Sequence, residues 1–311
     1  MNLLITGANG FLGSHLCGYF SNQKNYNVLA QTRRNLIESN ENIEAVAFDL
    51  NDNLENIDLS QVDVIIHCAG RAHVMKETVE NPLDIYRQVN VSGTVNLAKK
   101  AIDSGVKRFI YLSSIKVNGE ETTTKTPFKS NDKVGATDPY GLSKYEAEIA
   151  LLDLAKNTGL EVVIIRPVLI YGEKVKANFQ SMVKLAAKNI PLPIGCLDNK
   201  RSMVSLYNLT DFIETCLLHP AAKNEIFLVS DQDDISVKEL FVRLAEFQGK
   251  SSICIPVPKF LINLLATLVG KGAMASRLCS NLLVDTSKNT NLLGWKAPYT
   301  VNQSLKIMFK R

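Results

Sequence analysis

The sequence predicts an α/β fold, with a parallel sheet covered by helices on both faces, and two observations support this. First, short apolar runs rich in β-branched residues alternate with longer helical stretches, as in right-handed βαβ units. The predicted strands are Leu3–Thr6, Val28–Thr32, Ala45–Phe48, Val64–His67, Phe109–Leu112 and Val162–Ile165. The predicted helices include Phe11–Phe20, Pro82–Ser104 and Pro139–Asn157. Second, glycines and polar residues follow directly after several strands, where parallel sheets bind ligands.

The regular alternation weakens after about Ile170. We therefore predict a sheet-based domain over residues 1–170 and a smaller ligand-covering region over residues 171–311, partly interleaved with the first. Pro191–Gly195 is predicted to be a rigid loop. Glu121–Thr126 is either plain polar surface or a mobile flap over the site.

Composition excludes several classes of protein. The 311 residues are 46% hydrophobic and 21% charged, which is ordinary for a globular chain and excludes disorder as the main state. A net charge of +4 is too small and too dispersed to indicate nucleic acid binding. The six cysteines form no C-x-x-C pair, which favours reduced thiols over a disulfide framework or a metal site.

The N-terminus has no basic segment before an apolar core, so we expect a cytoplasmic protein without a signal peptide. The most apolar run, Phe260–Gly270, contains Asn263 and Thr267 and is too short to span a bilayer. Its leucines fall on one helical face, which predicts a core helix, with a membrane-surface helix as the alternative.

The segment Thr6–Gly13 reads Thr-Gly-Ala-Asn-Gly-Phe-Leu-Gly between the first strand and the first helix. Its glycines permit a tight turn and close approach of the backbone to a pyrophosphate at the helix N-terminus. The G-x-x-G-x-x-G spacing differs from the general G-x-G-x-x-G fingerprint, and a structural turn is the alternative. The predicted dinucleotide contacts are Gly7, Asn9, Gly10, Phe11, Leu12 and Gly13.

The end of the second strand predicts which nicotinamide dinucleotide is bound. An acidic residue there would hold the ribose 2′-hydroxyl of NAD, but Val28–Arg34 contains none. Arg33 and Arg34 stand where the 2′-phosphate of NADP would lie, so NADP(H) is favoured and NAD(H) is the alternative. Asp49 and Leu50, after the third strand, either contact the adenine or form a turn.

Thr137–Lys144 reads as a helix start, with Asp138 suited to the N-cap and Pro139 to the first helical position. Tyr140 and Lys144 are then four residues apart on one helical face. We expect the ammonium to lower the pKa of the phenol, so that the tyrosine can exchange a proton with a carbinol or a carbonyl. Because Tyr-x-x-x-Lys is common by chance, this pair needs a third element.

That third element is a pair of hydroxyls, Ser113 and Ser114, at the end of the fifth predicted strand. A hydroxyl there could hydrogen-bond the reacting oxygen of a substrate. The alternative is a merely polar strand end.

Together these motifs resemble the extended short-chain dehydrogenase/reductase family, in its nucleotide-sugar epimerase/dehydratase branch, over nearly the whole chain. The matching segments are Thr6–Gly13, His67–Gly70, Asn90–Thr94, Ser114–Gly119, Tyr140–Lys144, Arg166–Pro167, Tyr171–Gly172 and Asp285–Lys288. The resemblance implies a Rossmann-type sheet and a nicotinamide cofactor. It makes Ser114 the catalytic hydroxyl, Tyr140 the proton donor and acceptor, and Lys144 the partner of Tyr140 and a ribose ligand.

The same resemblance assigns further residues. Ala69, Gly70 and Pro167 would line the cofactor, whereas Asn90 would be structural. A UDP-linked sugar is the implied substrate. The implied substrate contacts are Asn178 and Arg201 at the pyrophosphate, Arg277 as a second cation, and the backbone of Leu192 to Ile194 at the uracil. A homodimer through helices around residues 90–104 and 140–157 is also implied.

The family resemblance offers three candidate reactions: dehydration, C4 reduction and C4 epimerisation. The dehydratases of this family carry an Asp-Glu pair after the catalytic hydroxyl, where this chain has Ile115 and Lys116, so dehydration is excluded. The segment Leu112–Glu120, with His73 and the Arg201-Ser202 pair, resembles bacterial reductases of UDP-4-keto-6-deoxy-N-acetylhexosamines of the UDP-N-acetylquinovosamine-forming type.

We therefore predict a C4 ketoreductase in surface polysaccharide (O-antigen) synthesis, which exchanges its cofactor at each turnover. The alternative is a UDP-hexose 4-epimerase that retains NAD. A non-catalytic dinucleotide sensor is disfavoured because both Tyr140 and Lys144 are present.

Overall fold

A computed structural model describes residues 1–33, 41–71, 81–123, 125–175, 177–268, 270 and 272–310, apart from the side chains of 177, 178, 273 and 274. Its centre is a seven-stranded, all-parallel sheet in the order β3-β2-β1-β4-β5-β6-β9. The strands are β1 Asn2–Thr6, β2 Asn27–Thr32, β3 Ile43–Ala47, β4 Val64–His67, β5 Arg108–Leu112, β6 Glu161–Pro167 and β9 Glu225–Val229. A separate parallel pair consists of β7 Leu169–Tyr171 and β8 Met203–Ser205. The predicted α/β class, with its Rossmann-type sheet, is confirmed.

Helices cover both faces of this sheet. They are α1 Phe11–Ser21, α2 Pro82–Arg87, α3 Gly93–Asp103, α4 Pro139–Asn157, α5 Ala177–Ala186, α6 Leu206–Leu218, α7 Val237–Phe247, α8 Lys259–Leu268, α9 Gly272–Cys279, α10 Ser287–Leu293 and α11 Val301–Met308. Side chains of a strand alternate between the two faces. Leu3 and Ile5 accordingly join a core beneath α1 and α6, and Leu4 joins a core beneath α3 and α4.

The two helices nearest the predicted chemistry differ in regularity. Helix α4 has the predicted bounds, because the Asp138 carboxylate accepts the Gly141 N–H as an N-cap and Pro139 occupies the first turn. The helix predicted over residues 82–104 is instead interrupted by a π-helical turn at Gln88–Ser92. That wider turn contains the buried Asn90, and such turns often occur at functional sites.

The second half of the chain contributes to the first sheet. β9 pairs in parallel with β6 and forms the seventh strand, although regular alternation was expected only up to about residue 170. Helix α6 is held against β5 by Arg108, whose Nη1 donates to the carbonyls of Cys216 and Leu217 at 2.6 and 2.9 Å. Residues beyond 170 therefore contribute a strand and a covering helix to the main sheet.

Helix α8 is not the core helix that its leucines predicted. None of its residues is buried. Ile262 packs against the third core, which lies beneath α5, α7 and α11, while the leucine-rich face points outward. Within the described ranges, no helix is long and apolar enough to cross a membrane.

Candidate active site

The glycine loop connects β1 to α1 in a form that fits a dinucleotide. Gly7 has a φ of +67°, and the Gly10 N–H bonds to its carbonyl at 2.8 Å. A Cβ on Gly13 would overlap the Gly7 carbonyl oxygen, so that position needs glycine for packing. Gly10 is exposed at the N-cap of α1, whose first turn contains no acidic residue. The N–H groups of such a turn suit a pyrophosphate.

Gln31 fixes the loop from the neighbouring strand, which sequence analysis did not predict. Its Oε1 accepts the Gly7 N–H at 3.1 Å and its Nε2 donates to the Phe48 carbonyl at 2.6 Å. Arg33 follows β2 and is exposed, and Arg34 lies outside the described residues, as does His73.

Asp49 and Leu50 adopt the turn that was the alternative to an adenine contact. Asp49 accepts the Asn51 N–H at 3.0 Å, and Leu50 is buried against Gly93. Contact with an adenine stays a prediction for both residues.

Ser114, Tyr140 and Lys144 meet at the carboxyl end of β5. Ser114 caps a short 3-10 turn at Ile115–Val117 and hydrogen-bonds Tyr140, while Ser113 beside it points into the protein. Tyr140 is partly buried and packs edge-on against Tyr86. The structure therefore joins the hydroxyl and the phenol that the motifs predicted.

The lysine does not act on the tyrosine in the way that the spacing predicted. Lys144 is buried, donates from Nζ to the Leu112 carbonyl at 2.8 Å and lies 4.6 Å from the Tyr111 ring. Desolvation lowers the pKa of Lys144 to about 8. Desolvation also raises the pKa of Tyr140 to about 12, although its hydrogen bond with Ser114 opposes this. The expected lowering of the phenol pKa by the ammonium is thus absent, because Nζ is directed to a backbone carbonyl.

The backbone of Gly70, just after β4, passes close to Lys144. A Cβ on Gly70 would lie 3.3 Å from Lys144 Nζ and 3.1 Å from Asn90 Oδ1. Asn90 fixes this backbone by accepting the Arg71 N–H at 2.8 Å and donating to the Arg71 carbonyl and Ser143. The exposed backbone at Gly70 therefore lies beside Lys144, where the family resemblance predicts the nicotinamide ribose.

A buried, neutral histidine, His67, lies near Gly70. It belongs to the matching segment His67–Gly70, but the sequence did not indicate its role. His67 is fully buried and hydrogen-bonds Thr6 at 2.7 Å and Thr94 at 2.9 Å. Desolvation, with a smaller contribution from the Lys144 charge, lowers its pKa to about 3. The Thr6 hydroxyl also accepts the Ala69 N–H at 3.1 Å. His67 thus links β1, β4 and α3 beneath the predicted cofactor backbone.

A buried ion pair supports the catalytic strand end and was missed from the sequence. Arg166 donates to Glu148 at 2.9 and 2.6 Å and to Asn118 Oδ1 at 2.9 Å. Glu148 also accepts a hydrogen bond from Ser113. The available signal was the spacing, since Glu148 follows Lys144 by four residues on the same face of α4.

The predicted substrate cations are close in space but have partners within the protein. Arg201 donates from Nη1 to the Arg277 carbonyl at 2.7 Å and to the Ser280 carbonyl at 3.2 Å, and burial lowers its pKa. The exposed Arg277 side chain pairs with Glu120 at 3.0 Å.

The two other predicted substrate contacts receive less support from the geometry. The Leu192 N–H and carbonyl pair with Ile253 and Ile255 at 2.8 Å each, so both groups are already used. The Asn178 side chain lies outside the described residues. Pro167 ends β6 and is buried.

The two positions after Ser114 contain no acid or base that could dehydrate a sugar. Ile115 is buried. Lys116 Nζ lies 3.2 Å from Glu120 Oε1 and 3.3 Å from Asp138 Oδ1. Across the described ranges, no group of three or more His, Cys, Asp or Glu side chains could hold a metal ion. The side chains brought together at this strand end are thus the predicted serine, tyrosine and lysine.

Comparison with known proteins agrees with this geometry. The sequence profile of the NAD dependent epimerase/dehydratase family matches residues 3–230. The chain belongs to this family. It is an NAD(P)-dependent nucleotide-sugar enzyme of the extended short-chain dehydrogenase/reductase type.

Individual relatives agree with the family assignment. The chain is 45% identical over 307 residues to a UDP-glucose 4-epimerase of Vibrio cholerae, covering 98% of this chain and 93% of that protein. It shares its fold with a UDP-glucose 4-epimerase of Thermotoga maritima solved with UDP-glucose (TM-score 0.77, 21% identity, 100% and 98% covered). It also shares its fold with RMD from Pseudomonas aeruginosa complexed with NADPH (TM-score 0.78, 21% identity, 100% and 99% covered).

Proposed function

We propose that this protein is a 4-epimerase of UDP-linked hexoses, either UDP-glucose or UDP-N-acetylglucosamine, that retains NAD through its cycle. The observation that carries the proposal is the hydrogen-bonded Ser114–Tyr140 pair beside Lys144, with no free acid or base at the next two positions. The extent of the match to the V. cholerae UDP-glucose 4-epimerase supports epimerisation over reduction.

The residues of the chain supply proton transfer and positioning. The glycine loop at Gly7 and Gly10 would hold the dinucleotide, which would supply a hydride acceptor for one face of the sugar C4 and a hydride donor for the other. Tyr140 Oη would take the proton of the C4 hydroxyl and return it, while the Ser114 hydroxyl would hold the same oxygen. Because the pKa of Lys144 is about 8, its side chain is mostly charged at neutral pH, and its ammonium, already bonded to the Leu112 carbonyl, would hold the ribose of the dinucleotide.

The ketoreductase predicted from the sequence is the second candidate, and one observation favours it. Arg33 is exposed just after β2, where no acidic residue stands to hold a ribose 2′-hydroxyl. A guanidinium there suits a 2′-phosphate, and a reductase that consumes NADPH needs to exchange its cofactor.

Two measurements separate these candidates. In the first, the purified protein is denatured and the released nucleotides are identified by mass spectrometry. In the second, the protein is incubated without reductant with UDP-glucose or UDP-N-acetylglucosamine, and the C4 epimers are resolved by NMR. Co-purified NAD and interconversion of epimers are expected. An empty protein that oxidises NADPH stoichiometrically with UDP-4-keto-6-deoxy-N-acetylglucosamine would replace the epimerase with the reductase.

A further inference from the structure

We propose that the outward face of helix α8 binds the surface of an anionic lipid bilayer. The α8 face consists of Phe260, Leu261, Leu264, Leu265 and Leu268. Four of these side chains have more than half of their surface exposed: 67% for Phe260, 55% for Leu264, 60% for Leu265 and 75% for Leu268. Surface helices of globular proteins normally turn their apolar stripe toward the core, and α8 does the reverse.

The α8 face cannot turn inward because the opposite side of the helix is already packed. Ile262 lies against the third core. Helix α9 packs alongside α8, and a Cβ on Gly272 would lie 2.6 Å from the Thr267 hydroxyl. The Thr267 hydroxyl itself donates to the Asn263 carbonyl at 2.7 Å. The Thr267 hydroxyl is thus bonded along the helix and Ile262 faces the protein, while the leucines are exposed.

The exposed apolar surface of the molecule is concentrated here. Of the sixteen exposed large hydrophobic side chains within the described ranges, seven lie between Ile253 and Leu268. Scattered single exposures are ordinary on a protein surface, but a contiguous apolar patch indicates a binding surface.

The charge around the α8 face selects an anionic partner. Residues 247–284 contain no Asp or Glu; their cations are Lys250, Lys259 and Arg277 among the described residues, and Lys271 outside them. Lys259 pairs with the exposed Asp198 at 2.5 Å and Arg277 with Glu120, which reduces but does not reverse this excess. Cations that flank an inserted apolar face are attracted to anionic headgroups.

The same charge argues against a second copy of this chain as the occupant. A twofold interface would set the patch against itself. The carboxylates beside this segment, Asp198 and Glu120, already pair with Lys259 and Arg277, and residues 247–284 of a second copy add none. A bilayer with anionic headgroups would bury the leucines in its apolar layer and attract the lysines to its headgroups.

Docking through α8 would bring the substrate region toward the membrane. Helix α9 follows α8 in the chain, and the Arg277 carbonyl at its end is bound by Arg201. The proposal is independent of whether the enzyme is an epimerase or a reductase.

The test is flotation of the full-length protein with phosphatidylcholine vesicles, either alone or with about one-third phosphatidylglycerol. We expect binding to the anionic vesicles that weakens with salt. In Leu264→Glu/Leu268→Glu, the bound fraction should fall on the order of tenfold or more, because two inserted leucines are replaced by anions. Leu218→Glu/Leu292→Glu is the matched control, since these side chains are 61% and 37% exposed elsewhere.

Thermal melting and light scattering after size exclusion accompany each variant. Equal loss of binding in both double variants, or no binding of the wild-type protein to anionic vesicles, would overturn the proposal. So would equal binding to neutral and anionic vesicles. A smaller oligomer for Leu264→Glu/Leu268→Glu with unchanged vesicle binding would assign the α8 face to a second copy instead.

Discussion

Lys144 Nζ donates to the Leu112 carbonyl at 2.8 Å, which anchors the ammonium on the end of β5, two residues before Ser114. Its neighbours four residues away on the same face of α4 bind the same strand end, Tyr140 through Ser114 and Glu148 through Ser113. Three residues on one face of α4 therefore contact the end of β5 and the serines that follow it. These contacts fix the position of the Tyr140 phenol.

Tyr140→Phe should abolish proton transfer and leave the fold intact. The ring still packs against Tyr86, but no hydroxyl remains for Ser114 or for a sugar oxygen. We expect kcat to fall about a hundredfold or more, with cofactor affinity nearly unchanged. Tyr145→Phe on the same helix is the control. Near-normal turnover by Tyr140→Phe would show that another group moves the proton.

Lys144→Met should change how stability depends on pH. The pKa of Lys144 is lowered to about 8 from 10.5, so between these values the unfolded chain binds a proton that the folded chain does not. The contribution of Lys144 to folding is then full above pH 10.5 and is lost as the pH falls through 8. Wild-type stability relative to Lys144→Met should rise with pH across this window, by up to about 1.4 kcal/mol per unit.

Urea denaturation at several pH values measures this difference. Lys156→Met, which removes an exposed lysine near the end of the same helix, is the matched control and should give no such slope. A pH-independent difference between wild type and Lys144→Met would show that the lysine is not desolvated in the folded protein.

Breaking the Glu148–Arg166 pair should destabilise the protein strongly. Both side chains are buried, so Arg166→Met leaves an unpaired carboxylate in the core and should cost about 3–5 kcal/mol. Arg87→Ala breaks the well-formed but exposed pair with Glu146 and should lower the free energy of unfolding far less. Glu148→Leu/Arg166→Met should recover much of the loss. Equal costs for the buried and the exposed pair in urea denaturation would contradict this account.

Local patterns predicted the fold and the placement of Tyr140 and Lys144 on one helical face because the relevant interactions are short in sequence. The cap at Asp138 fixes the start of α4 and thereby places Tyr140 and Lys144 on one face. The glycine loop joins a strand to the next helix within a few residues. Such features depend on neighbours that a single sequence displays.

Features that depend on distant segments were missed. β9 joins the sheet by pairing with β6, whose residues lie about sixty positions earlier in the sequence. The apolar face of α8 predicted burial, but burial depends on which side of the helix meets the protein. The raised pKa of Tyr140 was also not predicted from the spacing, because Lys144 donates to the Leu112 carbonyl on β5 instead.

Arg33→Ala tests the choice of cofactor. If the guanidinium binds a 2′-phosphate, its loss removes a charge-assisted contact worth about 1.5–3 kcal/mol. The dissociation constant for NADPH should then rise about 10- to 150-fold, while that for NADH should stay nearly constant. Titration of both cofactors by fluorescence measures this. An equal change for both, or no change, would remove Arg33 from the cofactor site.

Arg201→Ala separates a substrate clamp from a structural tie. Arg201 Nη1 holds the carbonyls of Arg277 and Ser280, so its removal should loosen the end of α9 and lower the melting temperature. If the guanidinium also binds the pyrophosphate, the affinity for UDP should fall about tenfold or more by calorimetry. The kcat should fall as well, because remote binding energy positions the reacting carbon.

Two controls make the Arg201 experiment decisive. Arg243→Ala removes a partly exposed arginine that pairs loosely with Asp233, and it should change neither the melting temperature nor the UDP affinity by much. Arg277→Ala removes a side chain directed at Glu120 and should weaken UDP binding less than Arg201→Ala. A lower melting temperature for Arg201→Ala with unchanged UDP affinity would make Arg201 a tie for α9 only. The pyrophosphate would then need another cation, although the dinucleotide site predicted at the carboxyl ends of β1 and β4 would be unaffected, since its contacts involve none of these arginines.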